Sequence, residues 1–159
     1  MDLRVTPFDH PDSVELIEAV QQEYVVRYGE PDGTRTDPEQ FAPPRGLFLI
    51  GYEGGVPVAS GGWRTHEEPP EGLRPGDAEL KRMYVVDAMR GKGFARAVLA
   101  ELERTASAAG HRRVVLETGL AQPEAIALYR SSSYTDIPKF GLYRHDELSV
   151  CLAKDLIAE

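Results

Sequence analysis

Apolar residues recur at two periods along this chain, and the switches between them divide it into elements. Residues 3–8 alternate and predict a short strand with Leu3 and Val5 on one face. Val14, Ile17, Val20 and Tyr24 then recur every three or four residues, as on a helix with one buried stripe. Asp12 or Ser13 suits its cap, Tyr28 lies near its end, and Gly29 is its stop. Residues 30–45 are rich in Gly, Pro and charge and predict a connector, with one helical turn at residues 38–41 behind Asp37. That connector reads equally as a passive link or as a mobile edge of a site. Two apolar runs, residues 46–52 and 56–65, flank Glu53-Gly54-Gly55 and predict a β-hairpin. Gly61 and Gly62 in the second run signal a bulge or the close approach of another backbone. Residues 66–77, with their prolines and acids, predict an exposed loop.

The next strand, residues 79–86, alternates badly. Strict alternation mixes charged and apolar side chains on both faces. A bulge near Arg82 would bring Leu80 onto the face of Met83 and Val85. A turn, Arg90 to Ala95, leads into a helix whose stripe is Ala95, Val98, Leu102, Ala106 and Ala109. Gly110 sits where a helix end favours a left-handed residue. A strand at residues 113–118, a helix at 123–132 opened by Pro123, and a strand at 149–154 complete the series. Between them lie a further extended segment from Tyr134 and a loop at residues 137–144. Strands alternating with helices predict α/β layers, a mixed sheet with helices on both faces.

The turn carries the candidate chemistry. Gly91 and Gly93 remove side chains where a backbone bends and approaches a ligand. The first turn of a helix offers unpaired N–H groups and positive potential, which suits a phosphate or pyrophosphate. Arg90, Lys92 and Arg96 add charge around it. Taken alone, the turn reads more readily as a glycine bend with surface bases.

Its context narrows the choice. Arg90-x-x-Gly93-x-Ala95, set between the strand LKRMYV and an amphipathic helix, resembles the Q/R-x-x-G-x-G/A signature of the GNAT superfamily of N-acetyltransferases. The resemblance extends to ETG at residues 117–119 and AIALYRSSSY at residues 125–134, and covers most of the chain from Gly46 onward. It implies a single N-acetyltransferase domain over residues 1–159, with a splayed-strand cleft for acyl-CoA. Acetyl-CoA would then be the cosubstrate. Its pyrophosphate would lie on the turn formed by Arg90, Gly91, Lys92, Gly93, Phe94 and Ala95. The pantetheine arm would pair with main-chain groups of Met83 and Val85. Gln122 stands where the family commonly has an Asn that contacts pantetheine. The resemblance makes Glu79 the candidate general base, with a raised pKa in a partly dry cleft, and Tyr129 the candidate acid for the leaving thiolate. The alternatives are a surface glutamate paired with Lys81 and a core tyrosine. Glu117 reads as a second acid in the cleft or as part of a strand end.

Composition bounds the rest. A chain of 159 residues suits one domain with an ordinary core. A net charge of −8 disfavours nucleic acid and anionic membranes as partners and favours a small cationic substrate. Cys151 is the only cysteine, so neither an intrachain disulfide nor a Cys-rich zinc site can form. His10, His66, His111 and His145 show no metal-ligand spacing, and no metal is expected. MDLRVTPF lacks the apolar core of a signal peptide, and no apolar run approaches a membrane span, so the cytoplasm is the expected location. The expected function is transfer of an acetyl group to the amine of a small molecule. A protein or peptide N-acetyltransferase and a non-catalytic acyl-CoA-binding regulator are the alternatives. Oligomeric state is open, homodimers being frequent among similar proteins.

Overall fold

A Gly-Gly turn folds the centre of the sheet. Gly54 and Gly55 both have positive φ, 58° and 80°, as a tight hairpin turn demands. They join β2 (Gly46–Glu53) to β3 (Val56–Arg64). β1 (Asp2–Val5) pairs antiparallel with β2, and β4 (Ala78–Val85) pairs antiparallel with β3. β5 (Arg113–Gly119) then runs parallel to β4. β7 (Ser149–Asp155) lies beyond it and β6 (Thr135–Asp136) forms the far edge, so the order is β1-β2-β3-β4-β5-β7-β6. This computed structural model describes residues 1–156.

Helices cover both faces. Leu47 and Leu49 of β2, with Val114 and Leu116 of β5, face α2 (Phe94–Ala108) and α3 (Pro123–Ser131) and form the main core. Phe48 and Ile50 point to the other face, against Leu16 of α1 (Pro11–Tyr28) and Phe41. Val115, Cys151 and Ala153 meet Phe140 on that face further along. The expected α/β sheet with two covered faces is the observed one.

Three details differ from the sequence reading. α1 is capped by His10, whose Nδ1 accepts from the Asp12 N–H at 3.0 Å. Its buried stripe is Ser13, Leu16 and Val20, while Val14 is 41% exposed. Ser13 occupies that stripe because its hydroxyl donates to Pro7 O at 2.7 Å, so no polar group is stranded. In α2, Leu99 joins Val98, Leu102 and Ala106 in the core, while Ala109 caps the helix and is exposed. The first strand stops at Val5, and Thr6 is the buried residue beyond it.

β4 carries one residue more than β3 can pair. Ser60 faces Tyr84 and Gly62 faces Lys81, so two steps along β3 match three along β4. Arg82 absorbs the excess with a left-handed φ of 61°. Lys81 and Arg82, consecutive in sequence, then reach the same acceptor on the α1 face. Leu80, Met83 and Val85 share the α2 face, as the bulge predicts. Opposite the bulge, a Cβ on Gly61 would lie 2.6 Å from Met83 Sδ and 2.9 Å from Leu102 Cδ1.

β4 and β5 stay together only briefly. They pair at Ala78↔Val114 and Glu79↔Val115 and then part. A buried fork from Arg113 to Asp77, at 2.9 and 2.6 Å, locks the joined end. Gly61→Ala should press a methyl group into the face of the bulge and cost about 1–3 kcal/mol of stability. Urea unfolding of the variant would check this, and a wild-type midpoint would mean that the approach at Gly61 constrains nothing.

Candidate active site

Where β4 and β5 part, the sheet opens into a cleft of about 180 Å³. Leu80 and Met83 form one wall, Leu116 and Thr118 the other. Tyr129 and Ala125 of α3 close it on one face of the sheet, and Tyr24 and Tyr28 of α1 on the other. Gln122 lines the cleft as the residue before α3, and its Oε1 accepts from the Tyr28 hydroxyl at 3.1 Å. Gly119 is what lets Tyr28 sit there, because any Cβ at Gly119 would collide with that phenol.

The turn before α2 fits a diphosphate by its shape. Gly91 and Gly93 have φ of 79° and 81°, and a Cβ on either would point into open space. Ala97 makes the first helical bond, to Gly93 O, so the N–H groups of Phe94, Ala95 and Arg96 precede the ladder. Arg90 is turned away from the loop. Its Nε donates to Val85 O at 3.0 Å and its NH2 reaches Glu23. Arg96 is held by Ser131 and Ser132 at the end of α3. Met83 lies in the cleft wall, whereas Val85 is outside it, with its side chain in the core.

The two carboxylates of β4 and β5 behave oppositely. Glu79 is 5% exposed and lies at the joined end of the strands. Its Oε1 accepts from Arg64 Nε at 3.0 Å and contacts His66 Nε2 at 2.7 Å. Burial works to raise its pKa, but His66, Lys81 and Arg64 outweigh it and hold the carboxyl at about 2. The expectation of a raised Glu79 pKa is therefore corrected. The residue borders a second cavity, not the cleft. Glu117 lies where the strands separate and lines both spaces. Burial pushes its carboxyl up to about 7, with Asp32 and Glu79 adding to the shift and Lys81 and Ser149 opposing it. Tyr129 is 6% exposed, and burial pushes its phenol well above the usual tyrosine value. Its hydroxyl has no hydrogen-bond partner among the described residues.

Sequence reasoning passed over Asp32, Lys81 and Arg82. Asp32 Oδ2 accepts from Lys81 Nζ at 2.7 Å and from Arg82 NH1 at 2.8 Å, and its Oδ1 accepts from the Thr34 N–H at 2.9 Å. Gln21 bonds both main-chain groups of Asp32, fixing the segment after α1. The available signal was the bulge itself, which turns two successive basic residues to one side. Among the described residues, no group of three or more His, Cys, Asp or Glu side chains could hold a metal, and no helix is long and apolar enough to cross a membrane.

A bulged strand parting from its parallel neighbour beside a glycine-flanked helix start is the architecture of the acyl-CoA N-acyltransferases. A Klebsiella pneumoniae chain assigned to that class matches with a TM-score of 0.78 and 28% identity, over 98% of this chain and 97% of that one. The chain belongs to the acetyltransferase (GNAT) family, whose model matches residues 15–134. The IAA acetyltransferase of Azospirillum brasilense is 34% identical over 143 residues, 90% of each chain. The uncharacterised N-acetyltransferase YjgM of Escherichia coli K12 is 30% identical over 161 residues, 96% of this chain and 93% of that one. The protein is an acetyl-CoA-dependent acetyltransferase.

The contrast between the two carboxylates predicts opposite stability effects. Glu79 has a depressed pKa, so its contribution is complete above the unfolded value of about 4.5 and fades as pH falls toward 2. Removing one member of such a buried ion-pair group costs about 3–5 kcal/mol, so Glu79→Gln should be strongly destabilised at pH 7. Glu117 has a raised pKa, so the wild type loses stability as pH rises from about 4.5 to 7. Glu117→Gln escapes that loss and should melt above the wild type at pH 8. Thermal unfolding of both variants at pH 5 and 8 checks the two signs.

Proposed function

We propose that the chain transfers the acetyl group to the amine of a small molecule by direct attack, with both substrates bound. Acetyl-CoA supplies the acyl group as an activated thioester. The free N–H groups around Gly91–Ala95 hold its pyrophosphate, and the main chain of Met83, on the unpaired edge of β4, pairs with the pantetheine amides. Gln122 adds a side-chain amide to that slot. Glu117 takes the proton that the acceptor amine loses as its nitrogen bonds to the acyl carbon. A carboxyl titrating at about 7 is ionised often enough at neutral pH and is basic enough to act. Tyr129 donates its hydroxyl proton to the sulfur as the carbon–sulfur bond breaks, and solvent restores that proton. Burial keeps the phenol protonated until then. Glu79, saturated by Arg64 and His66, organises the neighbouring cavity in place of the base role that the resemblance implied.

One observation carries the reading. Glu117 and Tyr129 line the same cleft, at the gap where β4 and β5 separate. A small acceptor is supported by the name of the Azospirillum relative, an IAA acetyltransferase, and by the size of the cleft. A cationic acceptor is supported by the net charge of −8 and by Glu30 and Asp146 at the cleft wall.

Turnover of an amine panel with acetyl-CoA tests this reading. For an accepted amine, kcat/KM should rise with pH through an acid limb near 7. Glu117→Gln and Tyr129→Phe should each lose about 10²–10⁴-fold in turnover, the usual range for general acid–base catalysis. Tyr129→Phe keeps its ring in the core, so its fold should be intact. Wild-type turnover in that variant would make the phenol structural and leave sulfur protonation to water. For the cradle, a β-branched side chain at a left-handed position costs about 1–2 kcal/mol before any contact with the ligand. Calorimetry should therefore find that Gly93→Val weakens acetyl-CoA binding far more than Lys92→Ala does.

A further inference from the structure

Asp32 is a loop residue 49 and 50 positions away in sequence from the two cations it bridges. Its carboxylate meets Arg82, the bulged residue, and Lys81 just before it, at 2.8 and 2.7 Å. Burial disfavours the anion, yet the two cations and the Thr34 N–H hold its carboxyl well below the usual range, so the clasp is charged at neutral pH. Arg82 needs an external hold. Its left-handed φ is unfavourable for a residue with a side chain, and its buried Nε has no hydrogen-bond partner among the described residues. Among the described residues, its guanidinium is held through NH1 alone, by Asp32. Lys81 projects into the cleft that Glu117 also lines.

We infer that Asp32 is a positioning residue, whose carboxylate clasps the β4 bulge and keeps the Lys81 charge from acting fully on Glu117. The catalytic consequence rests on the reading of Glu117 as the base, but the clasp itself does not. The charged and titratable groups around Glu117 come from every neighbouring element. Lys81 and Glu79 approach from β4, Asp32 from the segment after α1, Tyr28 from α1, and Cys151 from its paired position on β7. Among these, Lys81 alone favours the Glu117 carboxylate by its charge, and Asp32 is its direct counter-ion. Removing the Asp32 charge exposes Glu117 to an unbalanced ammonium. Removing Lys81 takes away the leading charge that favours the Glu117 carboxylate.

The test is the titration of the Glu117 side-chain carboxyl by 13C NMR in Asp32→Asn and Lys81→Met, run beside the kcat/KM pH profile. Asp32→Asn should move the NMR midpoint down by about one pH unit, and Lys81→Met should move it up by a similar amount. The acid limb of the kinetic profile should follow both shifts. A merely structural role for Asp32 leaves the Asp32→Asn midpoint and its kinetic limb at the wild-type value. Midpoints that stay at the wild-type value, or that shift the same way in both variants, overturn the clasp. If Asp32→Asn does not fold, an unmoved or lowered midpoint in Lys81→Met overturns it alone. NMR midpoints that shift in opposite directions under a fixed kinetic limb uphold the clasp and remove Glu117 as the base.

Discussion

One surplus residue in β4 shapes the active-site region. Because three steps on β4 span two on β3, the strand bends at Arg82 and leaves the path that β5 follows. A regular β4 would continue its parallel ladder past Glu79 and close the gap. The bend needs support on both sides. On the α2 face, Gly61 gives way so that Met83 can pack beside Leu102 and Val98. On the α1 face, Asp32 holds Lys81 and Arg82 together. The Arg113–Asp77 fork keeps the other end of the strand pair shut. The cleft is thus a hinge-like opening, fixed at one end by a buried ion pair and spread at the other by a bulge.

The same geometry separates the two acids. Glu79 and Glu117 are both substantially buried and lie on neighbouring strands, so desolvation presses both toward the neutral form. What differs is the partner set. At the joined end, Glu79 meets a guanidinium and an imidazole within 3.0 Å. At the parted end, the leading favourable charge on Glu117 is Lys81, and that charge is shared with Asp32. Partners decide the sign when burial is common to both. The stable ion pair and the titrating acid are two outcomes of one side-chain type, placed before and after the point of separation.

What could be read from the sequence was local. The hairpin, the left-handed turn at Gly91 and Gly93 and the bulge near Arg82 each depend on a few contiguous residues whose backbone preferences or faces are visible in the chain. The stripe of α1 keeps Ile17 and Val20 but differs at its first turn for a physical reason: Ser13 is buried because its hydroxyl finds Pro7 O, which no hydropathy pattern contains. The Leu99 position failed because α2 is covered more widely than a narrow stripe assumes. Glu79 was expected to rise in pKa from its place on the strand, but its pKa is set by Arg64 and His66 across the β3–β4 pairing and the following loop. Asp32 was invisible for the same reason, since its role exists only once residues some fifty positions apart meet.

This division has a consequence for the two substrates. The glycine-flanked turn before α2 is one contiguous stretch at the start of one helix, so its signature survives in the sequence. The opposite mouth of the cleft is assembled from separate segments: Tyr24 and Tyr28 at the end of α1, Pro31 and Asp32 after it, and Tyr143 and Leu148 before β7. Two of these segments touch directly, where the Gly33 N–H donates to the Tyr143 hydroxyl at 2.7 Å. Each can vary in length and side chain without disturbing the sheet, because none supplies a strand to its centre. A family that shares a donor and differs in acceptor is what such a construction permits. The contiguous turn is therefore legible from a motif, whereas the lining of that mouth is encoded in how the end of α1 and two loops meet beside Glu117.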